Sequence, residues 1–276
     1  MRAELRRALL QGRRRPRLQG AGSPTAIRGD GYEFVELREY VPGDDPRRID
    51  WAATARAGAL QTRVVLEEVG LTLAAIVDDS NSMRLGRSRS LLHAANEALQ
   101  AWYSAAETED RCIRVTSQRV YAPAGLQGAR SALLCMNVGS DAPFSLRKAL
   151  DTARCALRAG TALLVISDFL DGESSDVALW RRLAVRFDCT ALIARDPWFE
   201  DFPPRGFLSI QDAESGRQRR VFIGVRERTE YLRAVKMREA ELLQRLATAG
   251  WRTGVLHEAD GARSLLNTFA IASAAR

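Results

Sequence analysis

The run Leu71-Thr-Leu-Ala-Ala-Ile-Val77, apolar at nearly every position and cut off at Asp78, limits the possible folds more than any other stretch. A strand with one wet face alternates apolar and polar side chains. An unbroken run has to be covered on both faces, which is the condition of a strand inside a parallel sheet. Ala162 to Ser167 repeats the pattern and stops at Asp168. After the first run, Leu92, Ala95, Leu99, Trp102 and Ala106 recur at helical spacing, with His93, Glu97, Gln100 and Ser104 on the opposite side. The alternation continues with a strand at Cys112 to Thr116, helices at Leu146 to Leu157 and Val177 to Val185, and a strand at Cys189 to Ala194. A long helix, about Thr229 to Ala249, closes at Gly250, and Thr253 to Leu256 supplies a last strand before a helix at Ala262 to Ala272. Repeated βα order predicts an α/β fold in three layers, a mostly parallel sheet with helices on both faces.

The segments before and within this pattern divide the chain. Residues 1–30 read as a basic, flexible leader, 31–70 as a strand-rich N-terminal segment, and 71–276 as the α/β domain with a small β insertion at about 203–225. The formal charge of +7 is concentrated in the leader. Residues 1–28 hold eight arginines against the single acid Glu4, and the remaining 33 basic and 33 acidic side chains cancel. A nucleic-acid or anionic-membrane role is therefore confined to the leader, which reads either as a solvated tail or as a docking arm. Ala8-Leu9-Leu10 is followed at once by Arg13-Arg14-Arg15, too short for a signal-peptide core, and no run reaches the ~18–20 apolar residues that span a bilayer. Cys112, Cys135, Cys155 and Cys189 show no C-x-x-C spacing, as expected of reduced thiols in the cytoplasm.

In open α/β sheets ligands bind beyond the carboxyl ends of the strands, which puts Asp78 and Asp168 first among candidate site residues. Asp78-x-Ser80-x-Ser82 places a carboxylate and two hydroxyls at alternate positions of one loop, so their oxygens can turn to a common centre. Mg2+ takes about six oxygens at ~2.1 Å and tolerates water among them. The same Ser and Asp residues could instead cap the helix that follows, and the spacing alone does not choose. Arg47, Arg48, Asp50 and Trp51 form a second candidate set, either a partner-facing patch or an ordinary packing cluster. With only His93 and His257, no G-x-S-x-G, no G-x-x-x-x-G-K-[ST] and no strand-linked G-x-G-x-x-G, neither a histidine-based hydrolase nor a nucleotide-binding loop is expected, and no catalytic residue is assigned.

Asp78 to Met83 resembles the metal-ion-dependent adhesion site of von Willebrand factor A domains, and Leu163 to Phe169 resembles the later strand that supplies their second acid. Glu33-Phe-Val-Glu-Leu-Arg-Glu-Tyr-Val-Pro-Gly-Asp-Asp-Pro-Arg-Arg-Ile-Asp-Trp51, with Ala55-Arg56 and Leu60, looks like the bacterial domain-of-unknown-function family fifty-eight. Arg195-Asp-Pro197 through Gly206 and Asp212 to Gly216 match its later signature. The resemblance implies a von Willebrand factor A-like, Rossmann-like fold and a non-enzymatic adaptor. It also implies a MoxR-type AAA+ ATPase partner and a client protein under assembly or maturation. The implied cofactor is Mg2+, with Mn2+ or Ca2+ as substitutes, held by Asp78, Ser80, Ser82 and Asp168. The family takes a further hydroxyl from a Thr where this chain has Ala142-Pro143-Phe144-Ser145, so Ser145 is the nearest substitute and Asp141 the other. The competing readings are a Mg2+-dependent phosphohydrolase, which would want a second acid where Ser80 stands, and attachment of the Arg-rich leader to an anionic surface.

Overall fold

In a computed structural model the described residues are 2–13, 33–41, 46–66, 70–107, 110–122, 144–170, 177–195, 206–211, 213 and 216–270. They fall into two compact units, Leu18–Gly70 and a larger one made of Met1–Arg17 with Leu71–Arg276.

The smaller unit is an antiparallel pair, β1 (Glu33–Glu39) and β2 (Gln61–Leu66), joined through a 3-10 turn at Pro46–Arg48. It also contains a helix, α2 (Trp51–Ala57), after α1 (Arg2–Arg13) of the larger unit. The strand-rich reading of 31–70 missed α2, although its stops are written in the chain. Asp50 caps it by accepting from the Ala53 amide at 3.0 Å, and Gly58 ends it in the left-handed region at φ 71°.

The larger unit carries six strands, β3 (Thr72–Val77), β4 (Arg111–Val115), β5 (Val120–Tyr121), β6 (Ala162–Ser167), β7 (Asp188–Ala194) and β10 (Arg252–Leu256). Their spatial order is β10-β7-β6-β3-β4-β5, parallel throughout except for the antiparallel edge strand β5. In order of appearance within this sheet that is the doubly wound order 3-2-1-4-5-6, and the direction of winding reverses between β3 and β6. A separate ribbon, β8 (Gly206–Gln211) with β9 (Gln218–Ile223), lies in the expected insertion.

The two most apolar strands pair at the centre, with Leu73 opposite Ala162 and Val77 opposite Ile166. Alternation splits β3 between two cores. Leu73, Ala75 and Val77 meet α3 (Leu91–Ser104) and the last helix, α7 (Gly261–Thr268), while Ala74 and Ile76 meet α4 (Leu146–Ala156) and α5 (Val177–Arg186). The long helix α6 spans Val225–Thr248 and starts a turn earlier than its apolar stripe suggests. Glu227 reaches back to the Gly224 amide at 3.0 Å and fixes that first turn.

The flexible-leader reading does not hold for residues 2–13, which form α1; residues 14–30 lie outside the described set. Leu5 and Leu9, one helical turn apart, are each 1% exposed in the same core as α3. Arg6 pairs with the buried Asp110, whose carboxylate also accepts from the amides of Leu71 and Glu107. The basic residues drew the reading towards a solvated tail, yet two of them anchor the helix: Arg2 donates to the Ser104 carbonyl and Arg6 to that of Ala105. Leu9→Ala is therefore expected to lower unfolding stability by about 2–5 kcal/mol in urea titration, the usual cost of a truncated core leucine; a solvated leader would leave it unchanged.

Candidate functional site

The central pairing sets the ends of β3 and β6 side by side, and the Asp78 amide continues the ladder by donating to the Ile166 carbonyl at 2.9 Å. Asp78 is only 4% exposed. One of its oxygens accepts from the Ser80 amide at 2.9 Å and the other from Ser167 Oγ at 2.7 Å. Ser80 Oγ and Ser82 Oγ lie 3.0 Å apart, and Ser82 Oγ donates to Asp168 Oδ2 at 2.6 Å. Asp78, Ser80, Ser82 and Asp168, 86 residues apart in sequence at the last step, thus form one hydrogen-bonded group. Ser167 joins it. Its position in the apolar strand gave no separate signal, because a Ser facing a neighbouring strand end cannot be told from one facing the core until the pairing is known.

Two features hold the second loop. Phe169 takes a left-handed backbone at φ 54° and is buried edge-on to Trp180, with ring centroids 6.2 Å apart. Its amide donates to Ser167 Oγ, and the Leu170 amide donates to Asp168 Oδ1 at 2.9 Å, which orients the carboxylate. A non-glycine residue in that region is strained, and such strain persists where surrounding contacts over-determine it. The first loop is pinned by the buried Met83 in the 3-10 turn Ser82–Arg84. Beyond that turn, Glu258 accepts from the amides of Arg87 and Ser88, and Arg89 forks onto Glu97 at 2.8 and 3.0 Å. The alternative role of the loop as a helix cap is not the one adopted, since α3 is capped by Ser90, which accepts from the His93 amide.

Ser145 is engaged elsewhere. It caps α4 through the Lys148 amide and exchanges hydrogen bonds with Ser117, its amide donating to Ser117 Oγ at 3.0 Å and its carbonyl accepting at 3.2 Å. Asp141 lies outside the described residues. In the smaller unit, Asp50 pairs with Arg63 at 2.8 Å while capping α2, and the Ala53 amide followed by Arg63 holds its carboxyl below the usual range. Trp51 is 69% exposed and Arg47 exposed; the Arg48 side chain lies outside the described set. Asp50 thus has the bland role considered for it, whereas Trp51 does not pack inward.

The donor chemistry of the strand-end cluster fits a hard divalent cation: two carboxylates and two hydroxyls, all oxygen. No group of three or more His, Cys, Asp or Glu suited to a metal occurs among the described residues, so hydroxyls, water or a partner's carboxylate would complete the shell. Burial pushes the Asp78 carboxyl above its ordinary value, the Ser80 and Ser167 hydrogen bonds pull it back, and the neighbouring Asp168 charge raises it again. A buried acid of this kind favours its neutral form when folded, so its contribution to stability is present at low pH and lost as pH rises through the folded value. In metal-free buffer at pH 7, Asp78→Asn is expected to melt above the wild type, with the gap closing as pH falls. A gap that ignores pH would contradict this account.

The profile of the family described as "Protein of unknown function DUF58" matches residues 36–241. The uncharacterized proteins Mb1516 of Mycobacterium bovis and Rv1480 of Mycobacterium tuberculosis are each 31% identical over 235 residues, covering 81% of this chain and 74% of theirs. Among solved structures, an aerotolerance-related membrane protein from Bacteroides fragilis shares 16% identity, covering 73% of this chain and 96% of its own, at a TM-score of 0.48. A von Willebrand factor type A structure from Catenulispora acidiphila shares 14%, covering 76% of this chain and 43% of its own, at 0.43. Both are too distant to bear on the site. Among the described residues no helix is long and apolar enough to cross a membrane. The six-stranded, mostly parallel, doubly wound sheet, with helices packed on both faces, is the three-layer α/β arrangement expected above. With most of its length matched by one profile, the chain belongs to the DUF58 family.

Proposed function

We propose that this chain is a non-enzymatic protein-binding adaptor whose Asp78, Ser80, Ser82 and Asp168 hold a divalent cation, Mg2+ foremost and Mn2+ or Ca2+ in its place. The observation that carries the reading is the convergence of those four side chains through the 2.6 Å bond between Ser82 and Asp168. When bound, the cation would supply a Lewis-acidic position for a partner's carboxylate. The chain's own part is to orient the oxygens: Ser167 and the Ser80 amide fix Asp78, and the Leu170 amide fixes Asp168. The family resemblance directs the search for a partner to a MoxR-type AAA+ ATPase, with a client protein as the third member. The free thiols Cys112, Cys155 and Cys189 support a reducing, cytoplasmic setting.

The phosphohydrolase reading is disfavoured because a hydroxyl, Ser80, occupies the place of a second acid. For attachment through the Arg-rich leader, α1 removes Arg2 and Arg6, which are spent on contacts with the body.

Calorimetric titration of Mg2+ and Mn2+ into the wild type and Asp78→Ala tests the proposal. Binding by the wild type and its loss in the variant, together with ATPase capture that weakens in parallel, is the expected result. A wild type that binds neither cation would sink the metal reading and move partner recognition to Arg47, Arg48, Asp50 and Trp51.

A further inference from the structure

The β8–β9 ribbon sends its two largest side chains to the side that does not pack. Leu208, Val221 and Ile223 share one face, half-buried to buried, with the exposed pair Ile210 and Arg219 at its far end, while the other face carries Phe207 opposite Phe222, Ser209 opposite Arg220 and Gln211 opposite Gln218, all exposed. Phe207 is 81% and Phe222 55% exposed, and their rings meet at 5.2 Å and 62°. Leaving two aromatic side chains in water forgoes burial worth about 25 cal/mol per Å2, and clustered exposed apolar surface marks interaction sites. Where the ribbon ends, Gly224 leads into α6, whose Val225, Arg228, Thr229 and Leu232 line a cavity of about 330 Å3.

The described residues leave part of the positive charge around this surface without an ion pair. Among the described residues Arg220, on the same face as the two Phe rings, and Arg228 of α6 take part in no ion pair, and Arg228 Nε is buried without a hydrogen-bond partner. The nearby acids are occupied: Glu230 pairs with Arg226 at 2.9 Å, and Glu227 holds the Gly224 amide. Asp212 and Glu214, between the strands, lie outside the described residues.

We infer that the outer face of the β8–β9 ribbon, with the first turns of α6, is a docking surface for an acidic protein segment that carries apolar anchor side chains. Arginine offers a carboxylate a forked, charge-assisted pair, and aromatic and Arg side chains are the usual anchors of protein interfaces. A nucleic-acid strand fits less well. The tilted Phe pair turns the edge of one ring against the other, so the two do not form the parallel faces on which successive bases stack. The surface does not depend on a cation at Asp78.

The test uses a phage-displayed random dodecamer peptide library panned on the full chain, with counter-selection on Phe207→Ser/Phe222→Ser. The enriched peptides are expected to combine Asp or Glu with Phe, Leu or Trp. Synthetic copies should bind the wild type equally with and without EDTA and weaken with added salt. They should lose at least about tenfold affinity to the double Phe variant and to Arg220→Glu, the latter altering one exposed side chain and so retaining the wild-type melt. Enrichment no greater than on the variant, peptides without acids, or affinities indifferent to both the double Phe variant and Arg220→Glu would overturn the inference. So would an oligothymidylate probe that binds the wild type more tightly than the peptides do and is lost in the same variants.

Discussion

Everything at the candidate site follows from the parallel pairing of β3 with β6. Both strands are apolar on two faces, so both must lie in the interior of the sheet, and each ends where the apolar run gives way to an acid. Side by side, they bring two carboxylates to one edge of the sheet, at the point where the winding reverses. Two carboxylates in a poorly hydrated place repel, and the chain answers with hydroxyls. Ser167 donates to Asp78, Ser82 donates to Asp168, and Ser80 lies between. A cation bound there, as proposed, would offset the same repulsion more strongly.

The cluster is held by packing well away from it. Phe169 is kept in a strained backbone by its burial against Trp180, so the core on the α4 and α5 side determines where Asp168 points. On the opposite side, Glu258 after β10 grips the amides that follow the Asp78 loop, and Glu97 of α3 links Arg89 to the Gly261 amide at the start of α7. That junction is tight, since a Cβ on Gly261 would lie 1.8 Å from the Ala94 carbonyl oxygen. The last strand and helix are thereby tied to the loop that carries Ser80 and Ser82, although they follow it by some 170 residues.

How much of this could be read from the chain depended on whether a signal was local. The double-faced strands, their terminal acids and the stripe on α3 are written in periodicity alone, and from them the fold class and the candidates Asp78 and Asp168 follow, while Ser80 and Ser82 come from the alternate spacing of one loop. The helix α2 was equally local, bounded by Asp50 and Gly58, but it was obscured by β-type residues on either side. Partner identity is not local. Ser145 was proposed from its nearness to a family position, yet its hydrogen bonds go to Ser117 and Lys148, a choice fixed by the loop between β4 and β5. Likewise, the Arg content of residues 2–13 suggested solvation, and only the docking of Leu5 and Leu9 beside Asp110 shows what those arginines do.

Whether the strand ends of β3 and β6 form one cation-binding centre, as proposed, is decided by anomalous diffraction from crystals grown with Mn2+. A single strong anomalous peak is expected within coordination distance of Ser80 Oγ and Ser82 Oγ, with the Asp78 and Asp168 carboxylates bound directly or through water, and with the Ser82 to Asp168 bond opened or lengthened. A saturating Mn2+ concentration that yields no peak there, or one only at surface carboxylates, would contradict it.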